Sequence, residues 1–391
     1  MRDEAIPPAN SVILVLMTLG LMALWMLDLV SVQPNRIAPG EGVGLLGVAG
    51  PGGAALVTAL PLAGMALAWR PRRAQLRALL AMAAAGLLLL PWAMSATAAL
   101  LIDPELPHAR LGIGSGTWGL LFVLLLALVE LWNRLTLTMK WRWLLGLSLL
   151  VSLMLAIASG GLDALSLVRE YHGRSGQFGA AVRYHLGLVG AAVGISLAVA
   201  ALLALSMRRW TSLQKGVFGL LSVIQTIPSL ALFGLLLAPL AYLAARFDWL
   251  ADLGVRGIGW APALIALIGY SLLPMTRNTF VALEGVAPGI IESARGMGMS
   301  PLQVFWQVRL PLALPVMLEG IRITAVQAIG LAAVAALIGA GGLGTFIFQG
   351  LGQAAMDLVL LGALPIIFMA LIVDAAMNGL ATYLRRGRAH A

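Results

Sequence analysis

Apolar runs of eighteen or more residues with few charges recur along this chain from its first tenth to its last. Each is long enough to cross a hydrocarbon layer about 30 Å thick as a helix. Only helices and closed barrels span lipid, because every backbone polar group must find a partner there. Barrel strands would read as alternating segments of about ten residues, and these are absent. Charged residues make up 10% of the chain, against about 25% in soluble domains. The fold class is therefore an all-α polytopic membrane protein. About ten transmembrane helices are expected, at 11–32, 46–69, 76–101, 117–134, 143–160, 184–207, 217–245, 260–283, 315–340 and 357–384. Ser11–Ser31 is too long for a signal-peptide core and no cleavage pattern follows it, so it reads as a retained first span.

The connections divide the basic residues unevenly. One side holds Arg70, Arg72, Arg73 and Arg77, then Arg134, Lys140 and Arg142, then Arg208, Arg209 and Lys215. It also holds Arg277, Arg295, Arg309, Arg322, Arg2 and the tail Arg385, Arg386 and Arg388. These are 18 of the 25 Lys and Arg; Arg36, Arg110, Arg169, Arg174, Arg183, Arg246 and Arg256 lie on the other side. The positive-inside rule makes the first side, and both termini, cytoplasmic. Tryptophans at 69, 132, 141, 143 and 210, and at 118, 249 and 260, fall near the expected membrane edges, where amphipathic rings favour the headgroup level. This placement explains the net charge of +9 without invoking nucleic acid. The absence of cysteine removes disulfides and thiol chemistry.

Two regions are expected. Residues 1–175 form an N-terminal accessory region of about five spans, and 161–183 are an outer loop. Residues 180–384 carry the punctuation and form a second domain, followed by a basic tail at 385–391. Within that domain, Glu292–Pro315 (ESARGMGMSPLQVFWQVRLPLALP) interrupts the apolar pattern. Pro288–Met297 reads as a short helix with Ile290, Ile291, Ala294 and Met297 on one face. Gly296 and Gly298 permit a turn. Ser300 can cap a second helix, with Pro301 at its first position and Gln303 completing a capping box. Pro311 and Pro315 are expected to end that helix and begin the next span. The physics alone leaves two readings open, a surface element with a purpose and a plain amphipathic connector.

The spacing Glu292-Ser293-Ala294, three residues, Gly298, nine residues, Val308, one residue, Leu310-Pro311 resembles the EAA loop of ABC importer permeases. Ser293 stands for an alanine and Val308 for an isoleucine of that pattern. Ile224–Leu240, Tyr270–Leu283 and Ala336–Leu351 resemble the osmoprotectant group of these permeases, for glycine betaine, choline or carnitine. The long N-terminal half is similar to the YehY-type members. The resemblance implies that the last five spans form a type I permease core in the bacterial inner membrane. It implies that the cytoplasmic segment 285–313 couples to ABC ATPase subunits, through Glu292, Ser293, Ala294, Gly298, Val308, Leu310 and Pro311. It implies a second permease chain, identical or homologous, an extracytoplasmic substrate-binding protein, and no enzyme activity in this chain. ATP and Mg would belong to the partner ATPase, and no cofactor is expected here. No G-x-x-x-x-G-K-[ST] phosphate loop occurs.

Prolines 228, 274 and 365 interrupt expected spans, and each denies a hydrogen bond to the carbonyl four residues before it. Broken helices often mark transport pathways, so Gln225, Thr226, Pro228, Ser229 and Tyr270 are pathway candidates. Gly339–Gly344 is either a tight, closely packed turn or a re-entrant pathway element. Asp28, Glu130 and Asp374 are expected to be at least partly buried and would serve a rival design, an ion-coupled secondary transporter. A membrane scaffold that transports nothing is a third reading. Glu319 and Arg322 should pair locally, and Arg277 with Glu284 should mark a cytoplasmic span end. His108, His172, His185 and His390 have no metal-ligand spacing.

Overall fold

The computed structural model describes residues 9–389 other than 37, 104 and 107, with side chains as far as Leu384. Arg2, His390 and the side chains of the basic tail lie outside the described residues. The chain divides into two compact units, at Gly173 and Arg174.

In the first unit, helices α1 (Ser11–Met26), α2 (Leu45–Trp69), α3 (Arg73–Leu101), α4 (Ser115–Leu135) and α5 (Met139–Ala158) run back and forth. Aliphatic side chains interdigitate between them, notably Ile13, Leu16, Leu79, Val123 and Leu131. A small sheet joins one end of this bundle. Strand β1 (Val30–Gln33) pairs antiparallel with β2 (Glu41–Val43) on one edge and β3 (Arg110–Ile113) on the other. The first span is therefore shorter than expected. Helix α1 has sixteen residues, about 24 Å at 1.5 Å per residue. The chain then turns at Asp28 and uses Val30 and Val32 in the sheet, as β-branched residues favour. The Leu29 carbonyl is taken by the Thr117 hydroxyl at 2.6 Å.

The segment expected as an outer loop is largely helical. Helix α6 runs Ser166–Arg209 and is non-helical only at Arg174 (φ −136°, ψ 17°). No proline falls in it, so polar composition did not prevent its backbone from closing its own bonds.

In the second unit the rest of α6 is followed by α7 (Leu213–Thr226), α8 (Ser229–Arg246), the short α9 (Asp248–Asp252) and α10 (Trp260–Glu284). Next come α11 (Pro288–Gly296), α12 (Pro301–Gln303), a π-helical turn at Val304–Arg309, and α13 (Leu310–Val334). A 3₁₀ turn, then α14 (Gly344–Gly352) and α15 (Met356–Ala389), complete the chain. Helix α13 packs against both α10 and α15.

Among the described residues, eight helical runs are long and apolar enough to cross a membrane. The expected count of ten is not reproduced by that measure. Helix α1 is too short, and α10, which carries Arg277 and Glu284 along its 25 residues, is not among the eight; the seventh span, broken between α7 and α8, is represented by α8 alone.

Candidate functional site

The polar interruption at 288–309 folds as a hinge with a small core of its own. Helix α11 ends in a Schellman motif. The Met299 N–H reaches the Ala294 carbonyl at 3.2 Å, and the Gly298 N–H reaches the Arg295 carbonyl at 2.9 Å. Gly298 sits between them at φ +85°, a conformation that costs a side-chain-bearing residue about 1–2 kcal/mol. This is the physical need for a glycine at that place in the spacing. Ser300 then caps the next helix reciprocally. Its hydroxyl accepts from the Gln303 N–H at 3.4 Å, and the Gln303 side chain accepts from the Ser300 N–H at 2.8 Å.

Beneath this turn Val286, Ile291, Ala294 and Val304 are buried together, with Met299, Val308 and Leu312 against them. Ala294 and Val308 are thus inward-facing residues of the spacing. Ser293 points outward and donates to the Gly289 carbonyl at 2.8 Å. Glu292 is exposed, and Leu310 and Pro311 are half-buried. The opposite face is open. Met297, Leu302 and Trp306 are 76%, 68% and 58% exposed. Polar Glu292, Arg295, Gln303 and Gln307, all exposed, rim them.

Pro311 and Pro315 do not separate the second short helix from the following span. Residues 301–338 form one 38-residue helical run. The π-turn gives the reason: the Leu310 N–H bonds back to Phe305, so the turn is widened before Pro311, which then falls in the first turn of α13 where a missing N–H is tolerated. The exposed face and the membrane helix are mechanically one piece.

The pathway candidates divide. Pro228 does not kink a helix; it caps α8, after α7 has ended at Thr226. Buried Tyr270 donates its hydroxyl to the Ile227 carbonyl freed by this break. The Gln225 amide donates to the Tyr270 carbonyl at 3.3 Å. The structure therefore brings Gln225 and Tyr270 together as a latch across the break. The Thr226 hydroxyl turns back to Val223 at 2.7 Å, and Pro228 is exposed. Pro274 and Pro365 lie inside α10 and α15 as expected.

Of the three carboxylates expected to be at least partly buried, Glu130 and Asp374 are so and Asp28 is not. Asp28 is exposed in the turn before β1, because the first span ends earlier. Glu130 pairs with Arg134, one turn on, at 2.6 Å. Arg322 pairs with Glu319 at 3.2 Å and with Asp374 on α15 at 2.6 Å. Glu284 pairs with Arg208, while Arg277 lies 6.0 Å from the Phe218 ring. None of the three carboxylates proposed for ion coupling is both buried and without a cation. The glycine-rich run packs tightly: a Cβ on Gly344 would lie 1.9 Å from the Ala333 carbonyl oxygen.

A joint that sequence reasoning missed lies in the first unit. Glu170, 5% exposed, accepts from Arg36 just beyond β1 and from Arg110 on β3, both at 2.8 Å. Burial pushes the Glu170 carboxyl up, and the two guanidinium groups outweigh this, holding it below the usual carboxylate range.

Known families account for both halves. Residues 190–390 match the binding-protein-dependent transport system inner membrane component. The chain belongs to that family. It is a multi-pass membrane permease subunit, a transport component and not an enzyme. Residues 9–168 match the N-terminal domain of the ABC transporter permease YehY. The carnitine transport permease protein OpuCB of Listeria monocytogenes is 40% identical over 196 residues, 50% of this chain and 83% of that protein. The osmoprotectant import permease protein OsmW of Salmonella typhimurium is 40% identical over 200 residues, 50% of this chain and 86% of that one. The choline transport system permease protein OpuBB of Bacillus subtilis is 37% identical over 167 residues, 42% of this chain and 70% of that one.

Proposed function

We propose that this permease forms the translocation pathway of an ATP-driven importer for osmoprotectants, quaternary ammonium solutes of the glycine betaine, carnitine and choline class. The carnitine, choline and osmoprotectant permeases similar to it support that substrate class. Its 180–384 region is the transport core and 1–175 the accessory region. Segment 285–313 faces the cytoplasm, as do both termini, in keeping with the basic bias of that side. A second permease chain, identical or homologous, stands opposite. An extracytoplasmic binding protein delivers substrate and carries most of the specificity, since aromatic cages suit quaternary ammonium ions. ATP and Mg act on the partner ATPase, and no cofactor is needed here.

The observation that carries the reading is the open ridge of Met297, Leu302 and Trp306 on a hinge locked from behind by its own core. An apolar helix face rimmed by polar groups fits a hydrophobic groove on a partner. Glu292, Ser293, Ala294, Gly298, Val308, Leu310 and Pro311 build the hinge, and the continuous run into α13 carries ATPase closure into the membrane. Gln225, Thr226, Pro228, Ser229 and Tyr270 shape the pathway wall, with the Gln225–Tyr270 latch holding its broken helix.

The test is uptake of labelled glycine betaine by proteoliposomes holding the permease, its ATPase and its binding protein. Gly298→Val should leave the assembly intact and its ATPase active while uptake falls at least tenfold, because a β-branched residue is strained at positive φ. Uptake that needs no ATP and collapses with the proton gradient would overturn the proposal.

A further inference from the structure

The first unit holds a basic cavity that the transport reading does not use. It measures about 190 Å³ and is lined by Arg73, Arg77 and Leu80 of α3 and by Arg134, Leu135, Thr136 and Leu137 at the end of α4. The α2–α3 and α4–α5 connections both lie at this end of the bundle, because successive helices run back and forth.

Three features ask for an anion. Arg73 and Arg77 are one turn apart, and like charges at that spacing repel. Arg73 also opens α3, where the helix dipole disfavours cations, and no acidic residue stands in that first turn. Among the described residues neither forms an ion pair, while Arg134 has only Glu130, one turn away on its own helix. The contrast with Arg36 and Arg110 is direct: there the chain supplies Glu170 itself.

Three more features fix the kind of anion. The arginines stand beside an apolar wall of Leu80, Leu135 and Leu137. Trp132, which packs with Leu80 in one cluster, has a buried indole N–H with no acceptor. Trp69, Trp141 and Trp143 at the neighbouring helix ends are exposed by 65%, 58% and 71%, as tryptophans at the headgroup level are.

We propose that this cavity binds the phosphate of an anionic phospholipid such as phosphatidylglycerol. Arg73, Arg77 and Arg134 hold the phosphate oxygens by charge-assisted hydrogen bonds, and the leucine wall takes the glycerol and upper acyl carbons. Basic pockets between membrane helices commonly bind such headgroups.

The test uses the full chain, purified in mild detergent and exchanged into nanodiscs of phosphatidylglycerol with phosphatidylcholine. Native mass spectrometry counts retained lipid. Wild type should retain phosphatidylglycerol over phosphatidylcholine, and the double variant Arg73→Gln with Arg77→Gln should lose roughly tenfold of that preference. Glu130→Gln should move the other way and strengthen retention, since it releases Arg134; a general folding defect would not do this. Unchanged preference in the double variant, or weaker retention in Glu130→Gln, overturns the proposal. Thermal stabilisation by free inorganic phosphate equal to that by the lipid would assign the site to a soluble anion and overturn the lipid assignment.

Discussion

Two polar interruptions in this apolar chain have opposite fates. In the first unit, Ser166–Gly173 brings Glu170 back onto Arg36 and Arg110, and the buried carboxylate finds its cations within the same unit. In the second, 288–309 buries only its inner face and leaves Met297, Leu302 and Trp306 in the open. A buried carboxylate that finds its cations within the same chain is a structural joint. Large apolar side chains held outward on a rigid, capped turn are a surface that lacks its other half. The difference lies in whether the chain completes the interaction itself.

Several changes would break or sharpen this contrast. The largest effect is expected from Glu170→Gln. Removing one member of a buried pair strands the others, at about 3 kcal/mol, the low end because Arg36 is partly exposed. Thermal unfolding of the purified chain checks it, and uptake per folded molecule should stay near normal. The same joint sets an acid limit. The Glu170 carboxyl is held below its ordinary value of 4.5, so its stabilisation is complete above about that pH and is lost as pH falls through the lowered value. Stability of the wild type should therefore fall below pH 4.5 more steeply than that of Glu170→Gln.

Trp306→Ala should do the reverse, leaving unfolding unchanged and weakening ATPase docking roughly thirtyfold, as for a central interface aromatic. A pull-down or interferometry measurement with the isolated ATPase reads it, and unchanged affinity would remove the ridge from the interface. The smallest effect is expected from Ser300→Ala. Loss of the reciprocal cap costs about 1 kcal/mol and should speed exchange of the Gln303 amide about fivefold, with little change in docking.

Much of the second interruption was legible because its determinants are local. The Gly298 turn and the Ser300 cap follow from residues within one or two helical turns, whereas the single face expected of Ile290, Ile291, Ala294 and Met297 divides: Ile291 and Ala294 are buried, and Ile290 and Met297 are exposed. The π-turn was not legible. Proline rules alone end a helix at Pro311, and only the widened turn before it keeps the run continuous. Nor was the sheet: β1 overlaps the end of the run read as the first span, and β2 and β3 lie in connections between expected spans, too short at three and four residues to show an alternation. The candidate pathway was half legible: Pro228 announced a break, but the Ile224 carbonyl it frees is taken by the Ile227 N–H, and it is the Ile227 carbonyl that Tyr270, 43 residues on, satisfies.

By itself the sequence determined that the chain crosses lipid many times as helices, because length and apolarity leave a membrane segment no other way to satisfy its backbone. It also determined where the short capped hinge would lie, because caps and turns depend on near neighbours. Only the tertiary structure decided which charges are spent. Glu170 finds Arg36 across 134 positions, and Arg322 finds Asp374 across 52. Partners so far apart in the chain meet only when helices pack, and a one-dimensional pattern carries no distance between them.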